Sequence, residues 1–299
     1  MSTYTAINLV KRPSGSIGPE LFEVVEKTVP QLEDGQFLVK QTHMSLDPAM
    51  LGWMSPDTKS YIPPVELCDV MRSSGVGKVV ESRNPDFAEG DQVMGMFGWQ
   101  EYALSDGKGV NKVDSNLDPE MVLSVFALPG LTATQGLYGE GDPKPGETLV
   151  VSGAAGSVGS IVGQLAKADG LKVIGVVGSD EKADWIVNKL GFDGAINYKT
   201  DDIGAKLNEL AKDGIDLYFE NTGGPIQHRV FERMNAHGRI VVCGMISDYT
   251  AKQPSAGPNW MNIIRKRLTI KGFTMPDHRH KTPQLLEKIT PYVQKGQIK

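Results

Sequence analysis

Short hydrophobic runs alternate with helical segments through the second half of the chain. Apolar residues three and four positions apart predict helices over 161–168, 182–190 and 203–211. The runs between the helices are rich in β-branched residues and are predicted as six strands: Thr148 to Val151, Lys172 to Val177, Ala195 to Tyr198, Asp216 to Glu220, Arg239 to Cys243 and Leu268 to Phe273. This alternation is typical of a parallel sheet covered by helices on both faces. It predicts a doubly wound α/β domain of the Rossmann type.

The first part of the chain has a different pattern. Glycine and proline clusters interrupt short alternating strands, such as Phe37 to Gln41 and Gly75 to Glu81, and no regular strand–helix alternation is visible. We therefore predict a mostly β domain over residues 1–125 and the α/β domain over residues 126–299. A helix that begins near Leu128 is expected to connect them.

Composition and charge narrow the classes of partner. The 299 residues are 40% hydrophobic and 22% charged, with a formal net charge of -5 and no basic stripe. This excludes the electrostatic footprint expected for nucleic acid or an anionic membrane. Two cysteines do not suggest a disulfide framework, and no signal peptide or membrane span is visible. We expect a cytoplasmic protein that binds a small molecule.

A glycine-rich loop follows the first predicted strand of the α/β domain and opens a helix. Ala154, Gly156 and Gly159 occupy the three positions of the G-x-G-x-x-G pattern. Gly156 would admit a pyrophosphate close to the backbone, and Gly159 would let the helix pack closely on the strand. The alternative is a glycine-rich turn without a ligand. The surrounding βαβ series favours a dinucleotide.

The choice between NADPH and NADH depends on the end of the second strand. There Ser179 could donate a hydrogen bond to a 2′-phosphate and Lys182 could pair with it. Asp180 could instead bind the ribose of NADH, or it could cap the following helix. We favour capping by Asp180 and therefore NADPH, with a merely solvated Lys182 as the alternative.

Metal ligation is not expected. Cys68 and Cys243 show no paired ligand spacing with the five histidines, and two cysteines cannot form a four-cysteine zinc site. His278 and His280 are more simply explained as a solvated turn. Without a Lewis acid to polarise an alcohol, hydride addition to an electrophilic alkene or a quinone is favoured.

Motifs in order along nearly the whole chain resemble the zinc-free branch of the medium-chain dehydrogenases/reductases, which holds prostaglandin reductases, alkenal double-bond reductases and curcumin reductase. The resemblance rests on Ser45-Leu-Asp-Pro48, Met71 to Gly77, Leu128-Pro-Gly-Leu-Thr132, Ser152 to Gly159, Leu190-Gly-Phe-Asp193, Glu220-Asn-Thr-Gly-Gly224 and Cys243-Gly-Met-Ile-Ser247. It implies a GroES-like first domain, NADPH as cofactor and a possible homodimer.

The resemblance also implies which residues bind the cofactor. The pyrophosphate side would be bound by Gly156, Ser157, Val158, Gly159 and Ser160, and the 2′-phosphate would be bordered by Lys182 and Tyr198. The nicotinamide side would be lined by Asn221, Cys243, Gly244, Met245, Ile246, Ser247, Phe273, Thr274 and Met275.

Tyr249 is the catalytic residue that the resemblance implies. Its hydroxyl would stabilise the enolate formed when hydride adds to the β-carbon of an α,β-unsaturated ketone or aldehyde. The alternative for Tyr249 is a loop side chain that packs on a neighbour. A quinone reductase and a non-catalytic NADPH-binding protein remain as other functions.

Two departures from the family pattern affect these expectations. Where many relatives read Asp-Pro-Tyr-Met-Arg, this chain reads Asp47-Pro-Ala-Met-Leu51 and so loses an aromatic and a cationic side chain near the expected substrate cleft. The resemblance is therefore only a weak guide to the substrate. Met50, Trp53 and Trp99 are candidates for an apolar substrate pocket, although such residues more often belong to a core. Relatives also continue beyond a segment like 284–299, and we expect a C-terminal return to the first domain to be missing from this sequence.

Overall fold

The computed structural model describes residues 2–15, 17–249, 251, 253 and 255–299. These residues form two compact units, Met1–Ser124 and Val125–Lys299. Within the described ranges, no helix combines the length and the apolar character that crossing a bilayer would require.

The first unit is built mostly from antiparallel strands. A two-stranded sheet pairs β1 with β2, and a five-stranded sheet has the order β6-β3-β4-β5-β7. The elements are β1 (Thr3–Leu9), β2 (Phe22–Thr28), β3 (Phe37–Met44), α1 (Met50–Met54), β4 (Gly75–Ser82), β5 (Gln92–Gly95), β6 (Tyr102–Ser105), β7 (Asn111–Lys112) and α2 (Pro119–Ser124). A short 3₁₀ helix, Pro19–Leu21, precedes β2. The predicted mostly β character of this part is confirmed.

The second unit alternates strands and helices as the hydrophobic pattern predicts. It contains α3 (Leu128–Thr134), β8 (Thr148–Ser152), α4 (Ser157–Ala168), β9 (Lys172–Val177), α5 (Asp180–Asn188), β10 (Gly194–Asn197), α6 (Ile203–Leu210), β11 (Ile215–Glu220), α7 (Gly224–Arg233), β12 (Met234–Val242), α8 (Met261–Lys266), β13 (Thr269–Gly272) and α9 (Thr282–Gln294). A π-helical segment, Gln135–Gly141, follows α3, and a 3₁₀ helix, Met275–Lys281, precedes α9.

The six strands of this unit form a parallel sheet with the order β10-β9-β8-β11-β12-β13. Every residue of β8 is buried, as expected for a central strand covered on both faces. The chain adds strands outward from β8 in one direction and then returns to start again at β11. The topological switch point therefore lies between β8 and β11, where such folds bind ligands at the carboxyl edge.

The fold prediction is confirmed, and the largest boundary error is at β12. The pattern predicted a start at Arg239, whereas the strand begins at Met234. Met234 pairs with Ile215, the register then shifts, and His237 has a positive φ of 64° before regular pairing resumes at Arg239. The polar Asn235-Ala-His-Gly238 sequence is typical of a turn, which explains why the early part of this irregular strand was missed.

Candidate cofactor site at the carboxyl edge of the parallel sheet

The loop between β8 and α4 is shaped by three glycines. Gly153 has a φ of +60°, a conformation that favours glycine. Gly156 is the N-cap residue of α4, and its position is exposed. A Cβ on Gly159 would lie only 2.4 Å from the carbonyl oxygen of Gly153. Helix and loop can therefore approach this closely only because residue 159 lacks a side chain.

The structure adds Gly153 to the loop residues predicted from the sequence. Ala154 occupies the first position of the G-x-G-x-x-G pattern and is fully buried, while the positive φ belongs to Gly153, one residue earlier. Gly153 follows directly after β8, which ends at Ser152.

The start of α4 offers free donors to an anion. The backbone N–H groups of Ser157, Val158 and Gly159 open the helix and have no intrahelical partner, whereas Ser160 N donates to Gly156 O at 2.9 Å. The positive end of the helix dipole lies at the same place. These residues fit a pyrophosphate.

Three of the residues predicted for the 2′-phosphate, Ser179, Lys182 and Tyr198, lie around the end of β9. Tyr198 follows β10, and its hydroxyl would be 3.0 Å from a Cβ on Gly178. Ser179 accepts a hydrogen bond from Lys182 N through its Oγ, which leaves its hydroxyl proton free to donate. The Lys182 side chain is exposed, and its ammonium has no partner among the described residues. This set can receive a phosphate.

Asp180 does not cap α5, contrary to our expectation. The N-cap residue is Ser179, and Asp180 is the first residue of the helix. The Asp180 carboxylate instead accepts a hydrogen bond from Asn197 Nδ2 at 2.7 Å. Serine and aspartate are equally good capping residues, so residue type alone does not distinguish Ser179 from Asp180 as the N-cap. The contact with Asn197 ties Asp180 to the end of β10.

If Lys182 pairs with a 2′-phosphate, Lys182→Ala should raise the Kd for NADPH by about tenfold or more, because a charge-assisted hydrogen bond is lost. The Kd for NADH should stay within about twofold. Titration of cofactor fluorescence measures both constants. Lys189→Ala, at the exposed end of the same helix, is the control. An equal loss for both cofactors would contradict the assignment.

The loops after β11 and β12 are joined by backbone hydrogen bonds. Cys243 N and Gly244 N donate to Glu220 O at 2.9 and 3.1 Å. Ile246 N donates to Asn221 O at 3.2 Å, and Ser247 N donates to Thr222 O at 3.0 Å. The side chain of Gln227 lies beside the sulfur of Met245. The structure thus brings the predicted residues of these two loops together at the carboxyl edge.

Asn221 also connects to the end of β8. Its side-chain Nδ2 donates to Ser152 O at 2.7 Å, and its backbone N donates to Ser152 Oγ at 2.8 Å. The loop after β11 therefore contacts the end of β8 across the switch point of the sheet.

Sequence reasoning assigned no role to Glu220 beyond its place in the Glu220-Asn-Thr-Gly-Gly224 motif. Its carboxylate lies between the ends of β8 and β11. It is fully buried at the end of β11. Ser152 Oγ donates to Oε1 at 2.7 Å, and Tyr218 donates to Oε2 at 2.6 Å. An acidic residue that ends a buried strand was the signal that could have identified it.

Cys243 is held as a neutral thiol. Burial raises the pKa of Cys243 to about 12, and the negative charge of Glu220 adds to the increase. Cys68, in contrast, is exposed. Because only the thiolate is nucleophilic, Cys243 is not suited to nucleophilic catalysis at neutral pH.

Alkylation of the folded protein with iodoacetamide near pH 8 should therefore modify Cys68 and leave Cys243 untouched. Mass spectrometry of peptides locates the modified thiol. Denaturation should make both cysteines reactive. Cys243 is partly exposed, so rapid modification in the folded protein would contradict the raised pKa of its thiol.

The segment after β13 carries the remaining predicted cofactor residues. Phe273, Thr274 and Met275 are half-buried, and the hydroxyl oxygen of Thr274 has no hydrogen-bond partner among the described residues. His278 is not in a solvated turn as expected but in the 3₁₀ helix, with its side chain 18% exposed. Its Nε2 lies 3.9 Å from Glu140 Oε1.

Tyr249 lies in the turn that follows the β12 loop. It is 46% exposed, and its hydroxyl accepts a long hydrogen bond of 3.4 Å from Met245 N. A Cβ on Gly244 would be 3.1 Å from that hydroxyl. The phenol therefore lies near Gly244 and Met245, two of the residues predicted to line the nicotinamide, and among the described residues no acceptor takes its proton.

The three candidates for a substrate pocket belong to the first unit. Met50 and Trp53 are each only 5% exposed and form part of a hydrophobic cluster. Trp99 packs on the edge of that cluster, with its ring centroid 5.1 Å from that of Phe22. This packing agrees with the alternative that we kept open, in which these residues are core.

Three comparisons identify related proteins. Residues 5–113 match the family described as "N-terminal domain of oxidoreductase", and residues 157–290 match "Zinc-binding dehydrogenase". In the part of the chain that the structure describes, no group of three or more His, Cys, Asp and Glu residues is placed to hold a metal ion.

Individual relatives cover most of the chain. NADPH-dependent curcumin reductase of Escherichia coli (strain K12) is 39% identical over 297 residues, which are 97% of this chain and 86% of the relative. The NADP(+)-dependent 2-alkenal reductase of Nicotiana tabacum is 39% identical over 264 residues, or 87% and 77%. The crystal structure of CurA with NADPH from Vibrio vulnificus has a TM-score of 0.92 and 37% identity, and it covers 99% of this chain and 89% of that one.

These similarities confirm the family, the fold and the class of enzyme that the motifs led us to expect. NADPH, the cofactor that the resemblance implied, is also the cofactor of the curcumin reductase and of the CurA complex, and the 2-alkenal reductase uses the same NADP(H) couple. The chain belongs to the zinc-independent medium-chain dehydrogenases/reductases, a family of NADPH-dependent oxidoreductases that includes the curcumin and alkenal reductases.

Proposed function

We propose that this protein uses NADPH to reduce the carbon–carbon double bond of α,β-unsaturated ketones or aldehydes. The observation that carries the proposal is the half-exposed Tyr249 hydroxyl, which has a free proton and lies beside the loop of Cys243 to Ser247. The relatives named for curcumin and 2-alkenal reduction support the same substrate class.

Residues of the second unit would hold the cofactor. The free N–H groups of Ser157, Val158 and Gly159 fit the pyrophosphate. Ser179, Lys182 and Tyr198 fit a 2′-phosphate, which NADH lacks. The Asn221 loop, the residues from Cys243 to Ser247 and those from Phe273 to Met275 would line the nicotinamide.

When bound, NADPH supplies a hydride to the β-carbon of the substrate, so that negative charge collects on the carbonyl oxygen. Tyr249 would donate its hydroxyl proton in a hydrogen bond to that oxygen and so stabilise the enolate. The hydroxyl can do this because its hydrogen bond from Met245 N, the one it makes among the described residues, uses a lone pair and not its proton. A proton from solvent then completes the α-carbon.

Tyr249→Phe should lower kcat for enone reduction by about tenfold to a hundredfold, because one donor to the developing oxyanion is lost. The Kd for NADPH should not change, since the backbone of the loop is retained. Stopped-flow absorbance at 340 nm measures the reduction step, and fluorescence titration measures binding. The control Tyr102→Phe removes a hydroxyl from β6 in the first unit. An unchanged rate would remove Tyr249 from the mechanism.

Other features stay predictions. The chain is expected to work in the cytoplasm and to form a homodimer. Contact between a substrate and Met50, Trp53 or Trp99 also stays a prediction. Because Met50 and Trp53 are buried, these two would act by shaping the hydrophobic cluster against which a substrate binds.

A further inference from the structure

Glu220 carries a buried carboxylate that receives an unusual number of hydrogen bonds. Its Oε1 accepts from Ser152 Oγ at 2.7 Å, from Thr222 N at 2.7 Å and from Gly223 N at 2.9 Å. Thr222 Oγ1 lies at 3.2 Å from the same oxygen, and Tyr218 donates to Oε2 at 2.6 Å. The residue has no exposed surface.

These contacts are those of an ionised carboxylate. Two backbone N–H groups can only donate, and hydroxyl groups of Ser152 and Tyr218 complete the set of donors. No lysine, arginine or histidine of the described residues pairs with Glu220. Donors without charge satisfy the oxygens but leave the negative charge uncompensated.

The negative charge of Glu220 affects the pKa values of two neighbouring side chains. It contributes to raising the pKa of the Cys243 thiol, after burial, and it contributes in the same way to raising the pKa of Tyr218. Both shifts have the sign expected when a nearby negative charge opposes the formation of a second one. Cys243 is one of the residues predicted to line the nicotinamide.

Glu220 also lies at the switch point of the sheet. It ends β11, Ser152 ends the neighbouring β8, and their side chains are hydrogen-bonded across the place where the strand order reverses. Ligands of doubly wound folds bind outside the strand ends at this point. The uncompensated charge is thus directly beneath the ligand-binding edge.

We propose that Glu220 is an electrostatic positioning residue for hydride transfer, whose buried negative charge favours the oxidised, positively charged nicotinamide over the reduced, neutral one. Loss of a hydride, which carries two electrons, leaves the nicotinamide ring with one positive charge. An opposite charge held in a low-dielectric environment stabilises that state. The inference rests on the proposed function, because it assumes that the nicotinamide binds at this edge.

The ratio of the Kd for NADP⁺ to the Kd for NADPH tests this inference. Glu220→Gln keeps the shape of the side chain and an acceptor oxygen but removes the charge. It should raise that ratio by about tenfold, which corresponds to ~1.4 kcal/mol. A purely structural role would weaken both forms equally and leave the ratio unchanged.

Tyr218→Phe is the matched control, because it removes one hydrogen bond from the same carboxylate while retaining its charge. Its ratio should stay within about twofold of the wild-type value. Normal binding of both forms with an unchanged ratio in Glu220→Gln would overturn the inference alone. A wild-type protein that binds neither form would overturn the proposed function and the inference with it.

A measurement on the wild-type protein covers the case in which Glu220→Gln does not fold. In protein labelled with ¹³C-glutamate, the Glu220 carboxylate signal is identified by its loss in Glu220→Asp. Exchange of NADPH for NADP⁺ should shift this signal more than that of Glu147, which lies at the opposite edge of the sheet before β8. An equal or smaller shift at Glu220 would overturn the inference.

Discussion

Gly159→Ala is expected to weaken NADPH binding by more than about a hundredfold, a loss of roughly 3 kcal/mol. The new methyl group would lie 2.4 Å from Gly153 O and 3.0 Å from the Cα atom of Ala154. These are backbone atoms that cannot rotate away, so the loop must separate from α4. The free N–H groups at the start of α4 would then no longer face the pyrophosphate together. Isothermal titration with NADPH measures the loss.

Overpacking should also lower the free energy of unfolding of Gly159→Ala by about 1 to 3 kcal/mol. Gly52→Ala is the control, because a methyl group there meets nothing within 4 Å and residue 52 lies in a helix. It should leave NADPH binding unchanged. Wild-type affinity in Gly159→Ala would show that the loop does not need this close approach.

Arg239→Ala should lower the free energy of unfolding by about 2 to 3 kcal/mol, somewhat less than for a fully buried ion pair. Arg239 Nη1 lies 2.9 Å from Glu147 Oε1, and its Nε donates to Gly141 O at 2.7 Å. Both side chains of the pair are less than one-fifth exposed, at 19% and 18%. Removal of the guanidinium leaves Glu147 partly buried without its cation. Urea denaturation followed by circular dichroism gives the change.

Lys206→Ala provides the comparison, since its ion pair with Glu209 is on an exposed face of α6, with side chains 40% and 63% exposed. Exposed pairs contribute about 0 to 1 kcal/mol, so this variant should unfold near the wild-type midpoint. Equal effects of the two substitutions would mean that burial does not set the strength of the Arg239 pair.

Much of the second unit was predictable because a parallel strand leaves a strong sequence signal. β8 and β9 are buried on both faces and therefore appear as continuous apolar runs. The signal failed where the backbone is irregular, as at His237 in β12, since a polar segment there resembles a turn.

The candidate site was predictable at its glycines and less so at its polar contacts. Gly156 and Gly159 are recognisable because their spacing reflects a strand–turn–helix unit. Whether Ser179 or Asp180 caps α5 depends on the rotamers that the two side chains adopt. Both residue types can cap a helix, so the sequence does not distinguish the two positions. The carboxylate of Glu220 accepts hydrogen bonds from Tyr218 and Gly223, which lie within three residues of it, and from Ser152, which is 68 positions away in the chain. No local pattern encodes the contact with Ser152.

The most direct test of the proposed function is the oxidation of NADPH at 340 nm with three acceptors in parallel: a 2-alkenal, an α,β-unsaturated ketone and a quinone. We expect rapid oxidation with the alkenal or the ketone and little reaction with the quinone. The product should have lost its carbon–carbon double bond but kept its carbonyl group. Oxidation with the quinone alone would contradict the proposed substrate class. Tight NADPH binding without oxidation by any of the three would show that this chain binds the cofactor but does not carry out the reduction.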